Sequence, residues 1–223
     1  MNRITLVIPA KNEEKSLPYV LDEIRSIKCK KLLVVTNINK KILKLKKNYK
    51  FNVILQKKDG YGSAIIEGIK KVKTKYLCIY NADGSFDPKT LNKMYNIIKN
   101  DEKKFVFASR YEEKGGSLDD TFLTYIGNKI FTFIGNFFFK LKLSDILFTY
   151  VMGLTKNFNK LNLQSKDFRL CVEIPIKIKE KSLLINTTAS HERRRIAGVK
   201  NVNEFRDGFL ILLYLLKKFL KNE

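Results

Sequence analysis

Asp83 closes the apolar run YLCIY within the stretch NADGSFDP, a place where one carboxylate at a strand end can do chemistry. Mg²⁺ takes only one or two protein carboxylates and fills its other positions with phosphate oxygens and water, so a lone Asp there can hold a cation that bridges a diphosphate. Asn81, two residues earlier, would add a neutral oxygen or a hydrogen bond. The competing role for Asp83 is an Asx-type turn capping the helix that starts near Pro88. Upstream, KKDGYGSAIIEG sets Gly60 and Gly62 just before a helix N-terminus, where backbone can approach a ligand and an anion is favoured. The spacing is neither GxGxxG nor a P-loop, and such turns also occur without a ligand. Arg110, in SRY, places a cation at the next strand end. Far downstream, HERRRIAGVK gathers Arg193, Arg194, Arg195 and Lys200 around Gly198. That segment is either a solvated basic loop or a clamp on phosphate oxygens, through Arg forks and a Lys point charge.

These residues need a scaffold, and the first hundred positions predict one. Short apolar runs at 4–10, 31–36, 51–56, 75–80 and 104–109 have strand character. Helical spacing covers 16–27, with Ser16 as N-cap, then 62–72 and 88–100. Alternation of this kind indicates an α/β fold, a mostly parallel Rossmann-like sheet flanked by helices, with ligands beyond the carboxyl ends of the strands. From about residue 111 the pattern changes. Between 122 and 139 lie six of the sixteen phenylalanines. Thr121, Thr124, Asn128, Thr132 and Asn136 form a polar line there, and Phe122, Ile126, Ile130, Ile134 and Phe138 an apolar one. A helix near 166–180, a strand near 183–189 and a last helix near 204–221 complete the expectation. No internal repeat or low-complexity linker is present.

Lys and Arg total 44 against 22 Asp and Glu, a formal net charge of +22 in 223 residues. Such a surplus favours anionic partners, although a Lys-rich segment such as NKKILKLKKNYK also reads as a solvated helix face and loop. The three cysteines lie far apart without a CxxC pair, and His191 is the only histidine. A disulfide set, a zinc site or a His-based triad is therefore not expected. The N-terminus lacks the apolar core of a signal peptide, and no uninterrupted apolar run reaches the ~18 residues of a membrane span, although two segments, 122–139 and 209–216, come nearest. The expected location is cytoplasmic.

Taken in order, VIPAKNEE, GYGSAIIEG, NADGSFDP, SRY…GGS, SDI and ERRRIAGVK resemble the motif series of family-2 glycosyltransferases over about residues 3–210. Within that family the series is most similar to the branch of dolichol-phosphate mannosyltransferase and bacterial polyprenyl-phosphate sugar transferases. The resemblance implies a GT-A fold over 1–203, with a nucleotide-sugar half of about 1–110 and an acceptor half of about 111–203, followed by an amphipathic helix over 204–223. It also implies a nucleotide-diphosphate sugar donor, Mg²⁺ or Mn²⁺, and a polyprenyl phosphate acceptor. On the matching positions, Pro9, Ala10, Asn12 and Glu13 would contact the nucleotide, with Asn37, Gly60, Gly62, Asn81 and Ala82 in the same pocket. Asp83, with Asn81, would bind the metal. Arg110, Arg193, Arg194, Arg195 and Lys200 would face the diphosphate or the acceptor phosphate. The chain departs from the family pattern at Asn81, commonly Asp, at Thr36 and Asn37, usually acidic, and at Thr124 and Tyr125, near which many relatives carry Arg.

A phosphate acceptor has its second pKa near ~6 and is already ionised at neutral pH, so transfer to it needs no strong base. A single in-line displacement of this kind inverts the anomeric centre. A hydroxyl acceptor needs a carboxylate base, for which Asp145 in SDI is the candidate; capping, or pairing with a nearby Arg, is its structural alternative. A lipid acceptor requires membrane contact. The run 209–216 followed by Lys217 and Lys218 suits an interfacial helix on the inner face of an anionic membrane, and the 122–139 helix could lie likewise. Burial in the core or a homodimer contact is the alternative use of both. A soluble transferase acting on a saccharide hydroxyl, an inactive transferase-like scaffold and a basic nucleic-acid binder are the rival functions. No nucleic-acid recognition motif or stacking aromatic set is present, so no such partner is expected.

Overall fold

The run Ile4–Ala10 is apolar at almost every position because both of its faces are covered, and it forms the interior strand β1 of a twisted sheet. The computed structural model describes residues 3–197 and 202–222. After β1 come α1 (Leu17–Glu23), β2 (Lys30–Val35), α2 (Lys40–Asn48) and β3 (Asn52–Leu55). Next are α3 (Tyr61–Ile69), β4 (Tyr76–Ile79), α4 (Lys89–Ile98), β5 (Lys104–Ser109), the two-residue β6 (Gly116–Ser117) and α5 (Phe122–Phe139). The chain then forms β7 (Val151–Leu154), α6 (Thr155–Lys160), α7 (Leu170–Glu180), β8 (Leu184–Ala189), β9 (His191–Glu192) and α8 (Glu204–Asn222).

The seven-stranded sheet runs β3-β2-β1-β4-β7-β5-β8, while β6 and β9 pair separately. Every pairing in the large sheet is parallel except those of β7, which lies antiparallel between β4 and β5. The architecture is thus an α/β, mostly parallel sheet flanked by helices, as the sequence indicated. The period-2 alternation of each strand sorts its side chains between two cores. Leu6 and Ile8 join α1, α2 and α4 on one face, and Val7 joins α3, α6, α7 and α8 on the other. Ile211 and Leu215 anchor α8 in the second core.

Three local expectations change. The stretch 144–153, without an assigned element from sequence, supplies β7. Because β7 runs backwards, its entry at 147–150 lies on the edge where β4 and β5 end. Ser16 makes no side-chain cap to α1; its hydroxyl donates to a Glu13 carboxylate oxygen at 2.8 Å. The helix expected from residue 166 starts at Leu170. Residues 165–167 instead pass over α3, where a Cβ at Gly60 would come within 2.2 Å of the Lys166 carbonyl oxygen, and one at Gly62 within 2.2 Å of that of Ser165. The two glycines therefore make room for the chain's own backbone. Gly60 also holds φ 110°, which few other residues adopt.

Helix α5 is turned opposite to the usual rule. A capping box joins Thr121 and Thr124 at its start. Its polar line then faces inward, with Asn128 1% and Thr132 6% exposed. Its apolar line faces outward, with Phe133 and Phe137 each 67% exposed and Phe122, Ile126, Ile130 and Phe138 also open. α8 lies beside it, the rings of Phe138 and Phe219 meeting at 4.5 Å, and exposes Phe205, Phe209, Leu213, Leu216 and Leu220.

Candidate active site

A cavity of about 410 Å³ opens at the carboxyl edge of the sheet, where β1, β4 and β5 end and β7 begins. Pro9, Ala10 and Glu13 line it from the end of β1, Gly60 from the turn before α3, and Asn81, Ala82 and Asp83 from the end of β4. Arg110 and Arg195 complete the sequence-derived residues on its walls. Asn12, Asn37, Gly62, Asp145, Arg193 and Arg194 lie outside the lining. Lys200 falls outside the described residues.

Asp83 combines the two roles weighed for it. Its Oδ1 accepts from the Ser85 amide at 3.0 Å and from the Ser85 hydroxyl at 2.8 Å, an Asx turn that fixes the carboxylate on the strand end. Its Oδ2 makes no hydrogen bond to a described residue and is available to a ligand. The turn that caps α4 is a separate one, in which Asp87 accepts from the Lys89 amide at 3.0 Å. Asn81 receives the Tyr61 hydroxyl at 3.1 Å, and that hydroxyl also lies 2.6 Å from Thr149. The half-buried Glu13 carboxyl is held above the usual carboxylate range by burial; the Ser16 hydrogen bond opposes the shift and the charge of Asp83 adds to it.

The basic loop does reach this turn. The Arg193 amide donates to Ser85 O at 2.8 Å and the Ile196 amide to Asp83 O at 2.9 Å. Gly84, at φ 83°, leaves the space that the Ile196 side chain fills. Arg195 thereby faces the cavity, paired with Asp119 at 2.7 Å. Arg193 turns away to Glu23, and Arg194 is exposed.

Arg110 sits differently from a free phosphate-binding cation. Its Nε and Nη2 grip Asp145 at 2.7 and 3.0 Å, and its Nη1 donates to Asp120 at 3.1 Å and Glu192 at 3.0 Å. Burial alone would lower its pKa, but Asp145 and Glu192 hold it well above the ordinary value. Asp145 also accepts from Asn128 at 2.6 Å and from the Arg110 amide at 3.2 Å. Its structural alternative, pairing with an Arg, is therefore what the geometry displays.

Sequence reasoning passed over several wall residues. Tyr61 and Phe168 stack with centroids 5.0 Å apart, and Thr149, Asp119, Asp120 and Glu192 also line the cavity. Thr149 was hidden because β7 was, and Phe168 because its loop looked helical. Thr124 and Asn128 belong to the polar line of the 122–139 segment, which was a usable signal.

Among the described residues the walls carry seven carboxylates (Glu13, Asp59, Asp83, Asp119, Asp120, Asp167, Glu192) and four cations (Lys11, Arg110, Arg195, Arg206). A strongly basic protein thus surrounds an acidic cavity. No group of three or more His, Cys, Asp or Glu able to hold a metal exists among the described residues. A single carboxylate with one oxygen unpartnered among the described residues, in an acidic cavity, matches the minimal protein share of a hydrated Mg²⁺ or Mn²⁺ that is completed by a ligand's phosphates.

The family model for glycosyl transferase family 2 matches residues 5–161, from β1 through α6, and so includes Asn81, Asp83, Arg110 and Asp145. The chain belongs to that family. Uncharacterized glycosyltransferases of Mycobacterium bovis and Mycobacterium tuberculosis are 33% identical over 91 residues, which is 41% of this chain and 41% of theirs. The match thus spans well under half of those relatives. Among solved structures, the family's fold recurs in mannosyl-3-phosphoglycerate synthase from Rubrobacter xylanophilus, with a TM-score of 0.70 and 13% identity over 98% of this chain and 74% of that one. It recurs also in glucosyl-3-phosphoglycerate synthase from Mycobacterium tuberculosis, solved with Mn²⁺, uridine diphosphate and glucosyl-3-phosphoglycerate, with a TM-score of 0.71 and 10% identity over 97% and 79%. At these identities the likeness establishes the GT-A-like fold. The dolichol-phosphate branch is not distinguished by any of these matches.

Proposed function

We propose that the chain transfers a sugar from a nucleotide-diphosphate donor to a polyprenyl phosphate at a membrane surface, with Mg²⁺ or Mn²⁺ on Asp83. The donor half is assigned to about residues 1–110 and the acceptor half to about 111–203. Helix α5 carries the proposal, because Thr124 and Asn128 face the cavity while Phe122, Ile126, Ile130, Phe133 and Phe137 are exposed on the same helix. A lipid acceptor needs this combination, a reaction cavity whose wall has an apolar outer side able to sit among headgroups. No described helix is long and apolar enough to cross a membrane, so contact would be peripheral. The chain's formal net charge of +22 favours the anionic inner face.

Pro9, Ala10 and Glu13 would border the nucleotide, with Gly60, Asn81 and Ala82 opposite. The metal, when bound, supplies positive charge to the departing diphosphate. Arg195 would add a second cation by exchanging Asp119 for a phosphate oxygen, a swap between two charge-assisted hydrogen bonds. Arg110 and Asp145 hold each other and the inner side of α5, and so keep the acceptor wall in place. An ionised phosphate nucleophile needs no base, which agrees with an Asp145 whose oxygens are already engaged.

The test is label transfer from UDP- and GDP-sugars, with either metal, to polyprenyl phosphate in detergent, to 3-phosphoglycerate and to saccharides. Label in the lipid fraction is expected, with Asp83→Ala slowing transfer at least about 100-fold while melting is unchanged. Label only in phosphoglycerate or saccharide would overturn the acceptor assignment, and full activity of Asp83→Ala the metal role.

A further inference from the structure

On the far side of the 164–169 segment from the candidate active site, α7 and α8 border a second, half-open cavity of about 550 Å³. Its walls present Arg169, Lys177, Lys217, Lys218 and Lys221. Several of these cations are held in place by carboxylates. Glu180 receives Lys177 at 3.1 Å and Lys218 at 2.9 Å, and Asp167 receives Arg169 at 2.7 Å. At the inner end Glu173, 2% exposed, accepts the amides of Gln164 at 2.9 Å and Ser165 at 2.7 Å, so its charge is already solvated by backbone. Five cations against three carboxylates leave an excess of positive charge. Lys217 and Lys221 have no ion-pair partner among the described residues.

Two more observations point to an oxyanion. The Tyr214 hydroxyl, on the cavity wall, is buried and has no hydrogen-bond partner among the described residues. Burial, with the charges of Glu173 and Glu180, pushes its pKa up, so it stays a neutral donor. The cavity also adjoins the exposed apolar stripe of α8. At 100° per residue, Phe205, Phe209, Leu213, Leu216 and Leu220 fall within an arc of about 80°, with Lys217 and then Lys221 next around the helix and Tyr214 beyond. Leu213 is shared by the stripe and the cavity wall.

We infer that the α7–α8 cavity binds the phosphate of an anionic lipid headgroup, with Lys217 and Lys221 as free cations and the Tyr214 hydroxyl as a neutral donor. This binding site is separate from the sugar-transfer cavity and rests on the membrane reading only for its choice of a lipid over a soluble phosphate ester. It would fix how the protein sits on the bilayer, because the apolar stripe enters beside the headgroup that the lysines hold.

The test compares Lys217→Gln/Lys221→Gln and Tyr214→Phe with Lys41→Gln/Lys44→Gln, which removes the same charge from exposed positions on α2 that have no ion-pair partner among the described residues. Co-sedimentation with phosphatidylglycerol–phosphatidylcholine vesicles should weaken roughly tenfold or more for the α8 pair. It should weaken roughly threefold for Tyr214→Phe, and clearly less for the α2 pair. Glycerol 3-phosphate is the soluble arm, read as a melting-temperature shift that the α8 pair should lose. Equal weakening by the two lysine pairs, with no glycerol-phosphate shift in the parent, would overturn the site. A shift that only the α8 pair loses, with vesicle binding unchanged, would overturn the lipid source and leave a phosphate site filled from solution. Transfer in detergent is measured separately, so failure of the catalytic reading does not imitate either result.

Discussion

Helices α4 and α5 are both amphipathic, and they face the molecule in opposite senses. α4 buries Thr90, Leu91, Met94 and Ile98 against the sheet and turns its lysines to solvent. α5 buries Asn128 and Thr132 and leaves most of its phenylalanines outside. The inward polar line is tolerable because it is satisfied. Asn128 donates to Asp145, its Oδ1 accepts from Thr132 at 3.2 Å, the Thr132 hydroxyl accepts the Ile146 amide at 3.1 Å, and Asn136 exchanges two hydrogen bonds with the backbone of Leu143. Periodicity reports that a helix has two faces. Which face turns inward depends on what waits there: an apolar sheet beneath α4, the Arg110–Asp145 pair beneath α5.

The hardest way to break the contrast is to remove the cation under α5. Arg110→Ala leaves Asp145 buried and unpaired and should cost about 3–5 kcal/mol in chemical denaturation. If the loss is under about 1 kcal/mol, the polar interior is not what holds α5. Next, Met94→Ala on α4 should cost about 2–5 kcal/mol by the same measurement, as buried large-to-small changes do. Third, Phe133→Ser with Phe137→Ser on α5 should leave stability within about 0.5 kcal/mol while reducing vesicle co-sedimentation. A large loss of stability there would show that the exposed stripe is covered by another copy of the chain. The smallest effect tests an inward polar group with weaker compensation. Because the native state raises the pKa of Glu13, it binds that proton more tightly than the unfolded chain. This contribution to stability is present at low pH and is lost as pH rises through the native value. Glu13→Gln should therefore gain melting temperature relative to the parent at about pH 7 and lose that advantage near about pH 4.

Much of the scaffold was legible beforehand. Strands that need both faces covered must be apolar throughout, and the five expected runs correspond to β1 to β5 within a residue or so at each end. Asp83, Asn81 and Gly60 could be singled out because strand ends and glycine turns mark a sheet edge in sequence, whereas Arg195 was named only together with Arg193 and Arg194. The failures share one cause, contact between distant segments. β7 exists because 151–154 is pinned between β4 and β5. Gly62 was expected beside Gly60 in one ligand pocket; residues 165–167 press on both glycines, and only Gly60 reaches the cavity wall. Arg110 was expected as a fixed cation facing a phosphate, and the structure adds that three carboxylates from later segments enclose it.

The sequence alone determined the layered α/β class and the place of Asp83 on the sheet edge where the cavity opens, because these follow from local periodicity and the order of strands. Only the tertiary structure decided which oxygen of Asp83 is left without a partner among the described residues, that the described walls of a basic protein's cavity are acidic, and that α5 and α8 wear part of their apolar side outward. Charge balance and burial are sums over neighbours brought from across the chain, and no window of sequence contains them.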